Sequence, residues 1–220
     1  MTYKKVAIFS VYTSLLSMLF TFLTIASAQS FAAFTVEPYG DQIYDVSTGA
    51  TTLPSGGKLI DKTNNMVLDA SYIKYLENTY IEAINGNLSA GFGSLEAPDL
   101  RIDLNSQILT ASGSVYVRSN NLDIYTSDVY IYLGAGIILV RGQVYSESPA
   151  FNGSGSVIDS NEQVAFLLPP YSYQDGPFLL RSDNEKLQLK WYLDTSGNVV
   201  FDSTDDIDPT IAERLAPYMP

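Results

Sequence analysis

Cysteine and histidine are both absent from this 220-residue chain. Without cysteine there is no disulfide, no thiolate metal site, no thiol nucleophile and no acylation on a cysteine. Without histidine, the usual general base and the commonest transition-metal ligand are missing. Positive charge is scarce as well: 12 Lys and Arg stand against 24 Asp and Glu, a net charge of -12. Such a chain does not bind nucleic acid by neutralising phosphates. No Gly-rich phosphate loop and no nucleophile-elbow pattern occurs. An enzyme built from this sequence would run on carboxylates, Lys, Tyr or Ser alone, so the expectation is a non-enzymatic protein with no cofactor.

What the chain has is repetition. Leu95-Glu96-Ala97-Pro98-Asp99-Leu100-Arg101-Ile102, followed by Ile108 to Tyr116, returns 29 positions later as Ile124 to Ile131 and Ile137 to Tyr145. A third copy lies 27 positions earlier, beginning Leu68-Asp69-Ala70. Gly-x-[Leu/Val] marks fall at Gly57, Gly86, Gly113 and Gly142. A fixed period of this length marks stacked supersecondary units, and two short strands with two turns fill one. Hydrophobic residues make up 46% of the chain and tyrosine alone occurs 16 times, a composition suited to half-buried pleated surfaces. The fold class expected is all-β.

Residues 1–28 read as an export signal: Lys4 and Lys5, an uncharged apolar stretch, then Ala26-Ser27-Ala28 for cleavage. The alternative is a retained anchor, since residues 6–28 are long enough to span a bilayer. Either way the remainder is expected outside the cytoplasmic membrane, in the periplasm or cell envelope. Residues 29–56 form a lead-in with a strand near Gln42, residues 57–194 carry the repeats, and residues 195–220 form a tail. There, Asp208 followed by Pro209 signals a short helix from Pro209 to Leu215.

Within the repeats the apolar residues alternate as strands require. Leu100 and Ile102 share a face, as do Ala111, Gly113, Val115 and Val117. Ile73 and Tyr75 share one, followed in the next strand by Ile84, Gly86 and Leu88. Val129 and Ile131 lead into Ile138, Val140, Gly142 and Val144. The mark glycines therefore fall on the apolar face. They either allow a bulge or close backbone approach, or widen an interior slot by omitting side chains.

Carboxylates are the remaining candidates for chemistry. Asp202, Asp205, Asp206 and Asp208 could hold a hard cation, or form a solvated loop before the helix. Asp99 and Asp128 occupy equivalent repeat positions, which suits turn or strand-end residues rather than a catalytic pair.

The run from Leu95 to Asp103 followed by Leu109-Thr110-Ala111-Ser112-Gly113-Ser114-Val115 resembles the OstA/LptA-like family of lipopolysaccharide-transport proteins. Val140 to Val144 and Ile84 to Leu88 are weaker echoes, and the likeness covers about residues 57–193. The resemblance implies an open β-jelly roll, or folded-over antiparallel sheet, whose apolar interior holds the acyl chains of a glycolipid. The lining would be Ile73, Leu88, Leu100, Ile102 and Val115, with Val117, Val129, Ile131, Val140 and Val144. It also implies end-to-end strand pairing with related jelly-roll domains or with further copies of the chain. The competing reading is an envelope scaffold that assembles through strand edges without a lipid. A carrier needs an unfilled apolar slot, whereas a scaffold has side chains meeting across its core.

Overall fold

A computed structural model describes residues 34–219; the expected export signal lies outside them. The described chain is almost entirely β: one open antiparallel sheet of 15 strands with a single short helical segment at its C-terminal end. The sheet begins with four short strands, β1 (Thr35–Pro38), β2 (Ile43–Tyr44), β3 (Thr51–Leu53) and β4 (Gly57–Asp61). Long strands follow: β5 (Met66–Leu76), β6 (Tyr80–Ala90), β7 (Gly93–Asp103) and β8 (Ile108–Ser119). They continue through β9 (Leu122–Tyr132), β10 (Ile137–Glu147), β11 (Ala150–Asp159) and β12 (Val164–Asp175). Three more strands, β13 (Phe178–Ser182), β14 (Leu187–Leu193) and β15 (Val199–Thr204), precede helix α1 (Pro209–Leu215).

From β4 to β12 each strand pairs with its neighbours in sequence, so the sheet is a meander of hairpins. At each end the last long strand is shared. Strands β3 and β4 lie end to end along β5, and β13 and β14 lie end to end along β12.

The sequence period is one hairpin. Strand β7 has 11 residues and β8 has 12, and turns of four and two residues complete the 29. One strand pair per period is as expected; the strands are longer than the short ones expected, and a change of phase divides each into halves. In β7, Leu95 and Ala97 are buried, Pro98 and Asp99 intervene, and burial resumes at Leu100 and Ile102. In β9, Leu122 and Ile124 are buried, then Val129 and Ile131. A straight strand keeps its apolar set on one parity. Shifting parity at mid-strand keeps both halves facing inward when the strand bends.

The register shifts between strands fall at that same level. They lie between Glu96 and Asp99, Ser112 and Val115, Val140 and Val144, and Gly153 and Gly155. Aligned bulges make a crease, because each one bends its strand and raises the local twist. The sheet folds over along this line and covers itself.

Three inward positions expected from sequence are corrected by the crease. Gly113 and Gly142 are exposed bulge residues with φ of 100° and 95°, conformations that side chains other than glycine's adopt only with strain. Of the two explanations for the mark glycines, the bulge describes these. Ile84 is 44% exposed on the outside, beside the left-handed Asn85 at φ 50°. Gly86 does face inward, and Gly57 marks a close approach: a Cβ there would lie 2.6 Å from the Glu37 carbonyl oxygen.

Helix α1 occupies the expected residues. Pro209 opens it and the Asp208 carboxylate accepts from the Thr210 N–H at 2.8 Å, which caps the N-terminus. The helix and the turn after it cover the outer face of β10 to β12, where Ile137, Leu139, Val157, Val164 and Phe166 form a second, smaller core with Leu215. Strands apolar on both faces read as continuous apolar runs, as Ile137 to Val140 and Val164 to Leu168 do.

Candidate functional site

The interior between the two half-sheets is one apolar cluster running from Leu53 to Trp191. All ten residues expected to line it belong to that cluster, on six adjacent strands. Ile73, Leu88, Ile102, Val117, Ile131 and Val140 have no exposed surface; Leu100, Val115, Val129 and Val144 have 1–3%. Among the described residues no helix lies between the halves, and the two halves of the sheet cover these residues from each other.

The hairpin turns alternate between the two rims, and folding brings the rims together. Asn120, in the turn between β8 and β9, donates its side-chain amide to the Ser160 carbonyl in the turn between β11 and β12 at 2.7 Å. Phe92 and Leu122 near one rim, and Leu104 and Leu133 near the other, are all buried. The interior is therefore closed to water along the seam.

Among the described residues, four polar atoms inside have no hydrogen-bond partner: the Oγ atoms of Ser119, Ser146 and Ser156 and the indole Nε1 of Trp191. The register places them in the interior. Ser119 opposes Leu122, Ser146 opposes Phe151, and Ser156 lies between Val140 and Leu167, all core residues. Ser119, Ser146 and Ser156 are fully buried and Trp191 is 1% exposed. Sequence reasoning passed over these serines because they continue the inward parity as polar residues.

On the outside, a second feature runs along the crease. Tyr116, Tyr125 and Tyr145 stand directly opposite one another on β8, β9 and β10. Their ring centroids are 5.1 and 6.0 Å apart. Beside them is an open groove of about 640 Å³, floored at the bulge by Gly113 and walled by Tyr116, Tyr125, Thr126, Gln143 and Tyr145. Arg118 makes a two-pronged pair with Asp123, Nε to Oδ1 at 2.7 Å and Nη2 to Oδ2 at 2.8 Å, and its guanidinium lies 5.7 Å from the centre of the Tyr116 ring. That partner holds the Asp123 carboxyl below the usual range, while burial and then Asp123 itself push the Tyr116 hydroxyl up.

The carboxylates find structural roles. Asp99 and Asp128 are not at strand ends as expected; they sit at mid-strand on the crease, both opposite Ser112. Asp208 caps α1, and among the described residues no three acidic side chains are arranged to hold a metal ion. No described helix is long and apolar enough to cross a membrane, and residues 6–28 lie outside the described part. No family model matches this chain, and no curated protein matches it either.

Proposed function

We propose that the chain is an exported cell-envelope module that carries the acyl chains of a glycolipid between its two half-sheets, in lipopolysaccharide-type transport toward the outer membrane. The observation that carries this reading is the set of four unpartnered polar atoms inside an otherwise apolar interior. A core that is only a core loses about 1–3 kcal/mol for each buried donor or acceptor left unsatisfied. An acyl chain joined through an ester or amide brings carbonyl groups that such hydroxyls and an indole N–H can bond. Its methylenes each contribute roughly 0.8 kcal/mol on burial, enough in a long chain to outweigh surface repulsion from an acidic protein.

The lining residues are buried, so on this reading an acyl chain enters by parting the rims, where the Asn120 to Ser160 hydrogen bond joins them. Outer strands β1 and β15 each pair on one side only among the described residues, which leaves backbone groups for a related domain or a second copy to extend the sheet.

A second reading is favoured by the closure itself. Side chains that meet across the interior describe a scaffold that assembles through its edges with no lipid. Substituting Val115→Trp separates the two. In a permanently filled core the added bulk costs about 1–3 kcal/mol of stability. In a slot that opens it leaves folding largely intact and blocks photo-crosslinking to a glycolipid. Loss of stability, with no crosslink and no co-purifying lipid in the unaltered protein, would sink the carrier and leave the scaffold.

A further inference from the structure

The tyrosine-walled groove on the outer face is independent of the interior and of any lipid. The geometry points to a binding site for an uncharged polysaccharide along β8, β9 and β10, with Tyr125 and Tyr145 as its stacking surfaces.

Charge supplies the first argument. The protein carries a net charge of -12, yet the residues lining this groove are Gly, Ser, Thr, Val, Tyr and Gln, with no ionised side chain among them. An anionic ligand finds no cation in the groove and an acidic protein around it. A cationic ligand finds no carboxylate in the lining. A neutral polyhydroxylated chain needs neither.

The second argument is chemical. Tyr125 and Tyr145 are 43% and 48% exposed, large aromatic surface held at the protein boundary. Tyrosine offers an apolar ring with a polar tip, which suits a ligand whose faces are apolar C–H and whose rim is hydroxyl. The hydroxyls of Tyr125 and Tyr145, the Gln143 side-chain amide and the Ser114 hydroxyl make no hydrogen bond to any other described residue. Donors and acceptors of these kinds beside an aromatic wall are what orients a sugar ring. By contrast Tyr116, at the end of the row, is already engaged by Arg118 and Asp123 and serves as its anchor.

Space supplies the third. The rings of Tyr125 and Tyr145 stand 6.0 Å apart at a tilt of 40°, so a sugar unit seated in the groove meets both of them. Gly142, on the bulge of β10, leaves the space beside it open: a Cβ built there meets nothing within 4 Å.

The test titrates the protein with cellohexaose, maltohexaose and mannohexaose, with a hyaluronan hexasaccharide as the anionic counterpart. Expected is binding of at least one neutral hexasaccharide, none of hyaluronan, and at least tenfold weaker binding in both Tyr125→Ala and Tyr145→Ala. Footprinting the unaltered protein with hydroxyl radicals gives a readout that needs no substitution. The bound sugar should protect Tyr125 and Tyr145 while Tyr39 and Tyr192, 56% and 41% exposed elsewhere, stay reactive. No binding of any neutral hexasaccharide at millimolar concentration, or binding that protects neither tyrosine, overturns the proposal.

Discussion

Asn120 and Ser160 stand 40 positions apart in the chain and on opposite rims of one sheet, yet the amide of the first donates to the carbonyl of the second at 2.7 Å. Asn120 also opens a two-residue hairpin turn in which it and Asn121 both have positive φ, 46° and 72°, the pattern of a type I′ turn. Turn chemistry thus places the donor, and the fold along the crease supplies the acceptor.

Asn120→Gly keeps the turn and removes only the latch. The expected loss is about 1 kcal/mol of stability, that of one net hydrogen bond. Amide hydrogen exchange should quicken at Leu122, Ser160 and Asn161 while the crease residues stay protected. Unchanged exchange at both rims would show that the apolar seam alone holds them.

The two bulge glycines make a matched pair. Both need positive φ, so Gly113→Ala and Gly142→Ala each introduce strain of about 1–2 kcal/mol. At Gly113 the new Cβ also meets Pro98 Cγ at 2.9 Å, whereas at Gly142 it meets nothing within 4 Å. Urea unfolding should therefore find Gly113→Ala the more destabilised of the two, and equal losses would mean that Pro98 gives way freely.

That pair also shows what the sequence held and what it hid. The period, the all-β class, the inward set from Ile73 to Val144 and helix α1 could be read from spacing, alternation and one Asp-Pro pair. The crease could not. Alternation read along one half-strand says nothing of the next half, because a bulge resets parity without leaving a mark stronger than a glycine or an Asn. Gly113 keeps the parity of Ala111 and Val115 in sequence and still points out. The outer core beneath α1 was legible only as the unbroken runs from Ile137 to Val140 and from Val164 to Leu168. Closure of the rims depends on residues 40 apart, beyond the reach of any local pattern.

Acid should weaken the hairpin turns. Asp103 accepts from the N–H groups of Asn105 and Ser106, and Asp194 from those of Ser196 and Asn198. Backbone donors hold both carboxyls below the usual range, and hydrogen bonds from Ser47 and Thr48 lower Asp45 to about 2. The folded form then binds fewer protons than the unfolded chain, so stability rises with pH through this window. The contribution is complete above the usual value of 3.8 and is lost as pH falls toward about 2 for Asp45. Thermal midpoints measured from pH 5 to pH 2 should fall, and Asp103→Asn should flatten the slope. An unchanged slope would mean the turn keeps its bonds when protonated.

Besides its apolar contacts, helix α1 is tied to the sheet by an ion pair to one buried carboxylate. Arg214 reaches Asp159 at 2.8 Å and Glu162 at 3.2 Å, and the Asp159 side chain is only 4% exposed against 42% for Arg214. Asp159 also accepts from the N–H groups of Asn161 and Glu162, so it is fixed in the turn whether or not the helix is docked. Removing the cation leaves a buried carboxylate with two backbone donors and no counter-charge. Because Arg214 is partly solvated, Arg214→Met should cost about 1–3 kcal/mol, less than breaking a fully buried pair. Adding Asp159→Asn to that variant should recover part of the loss, since the amide oxygen keeps the turn bonds without the charge. Ending the chain after Thr204 goes further and uncovers Ile137, Leu139, Val157, Val164 and Phe166 on one outer face. An apolar patch of that kind on a sheet promotes association. Sedimentation should find the truncated protein aggregated and the Arg214→Met variant dispersed but less stable. If the truncated chain stays dispersed and keeps its thermal midpoint, α1 does not stabilise the sheet.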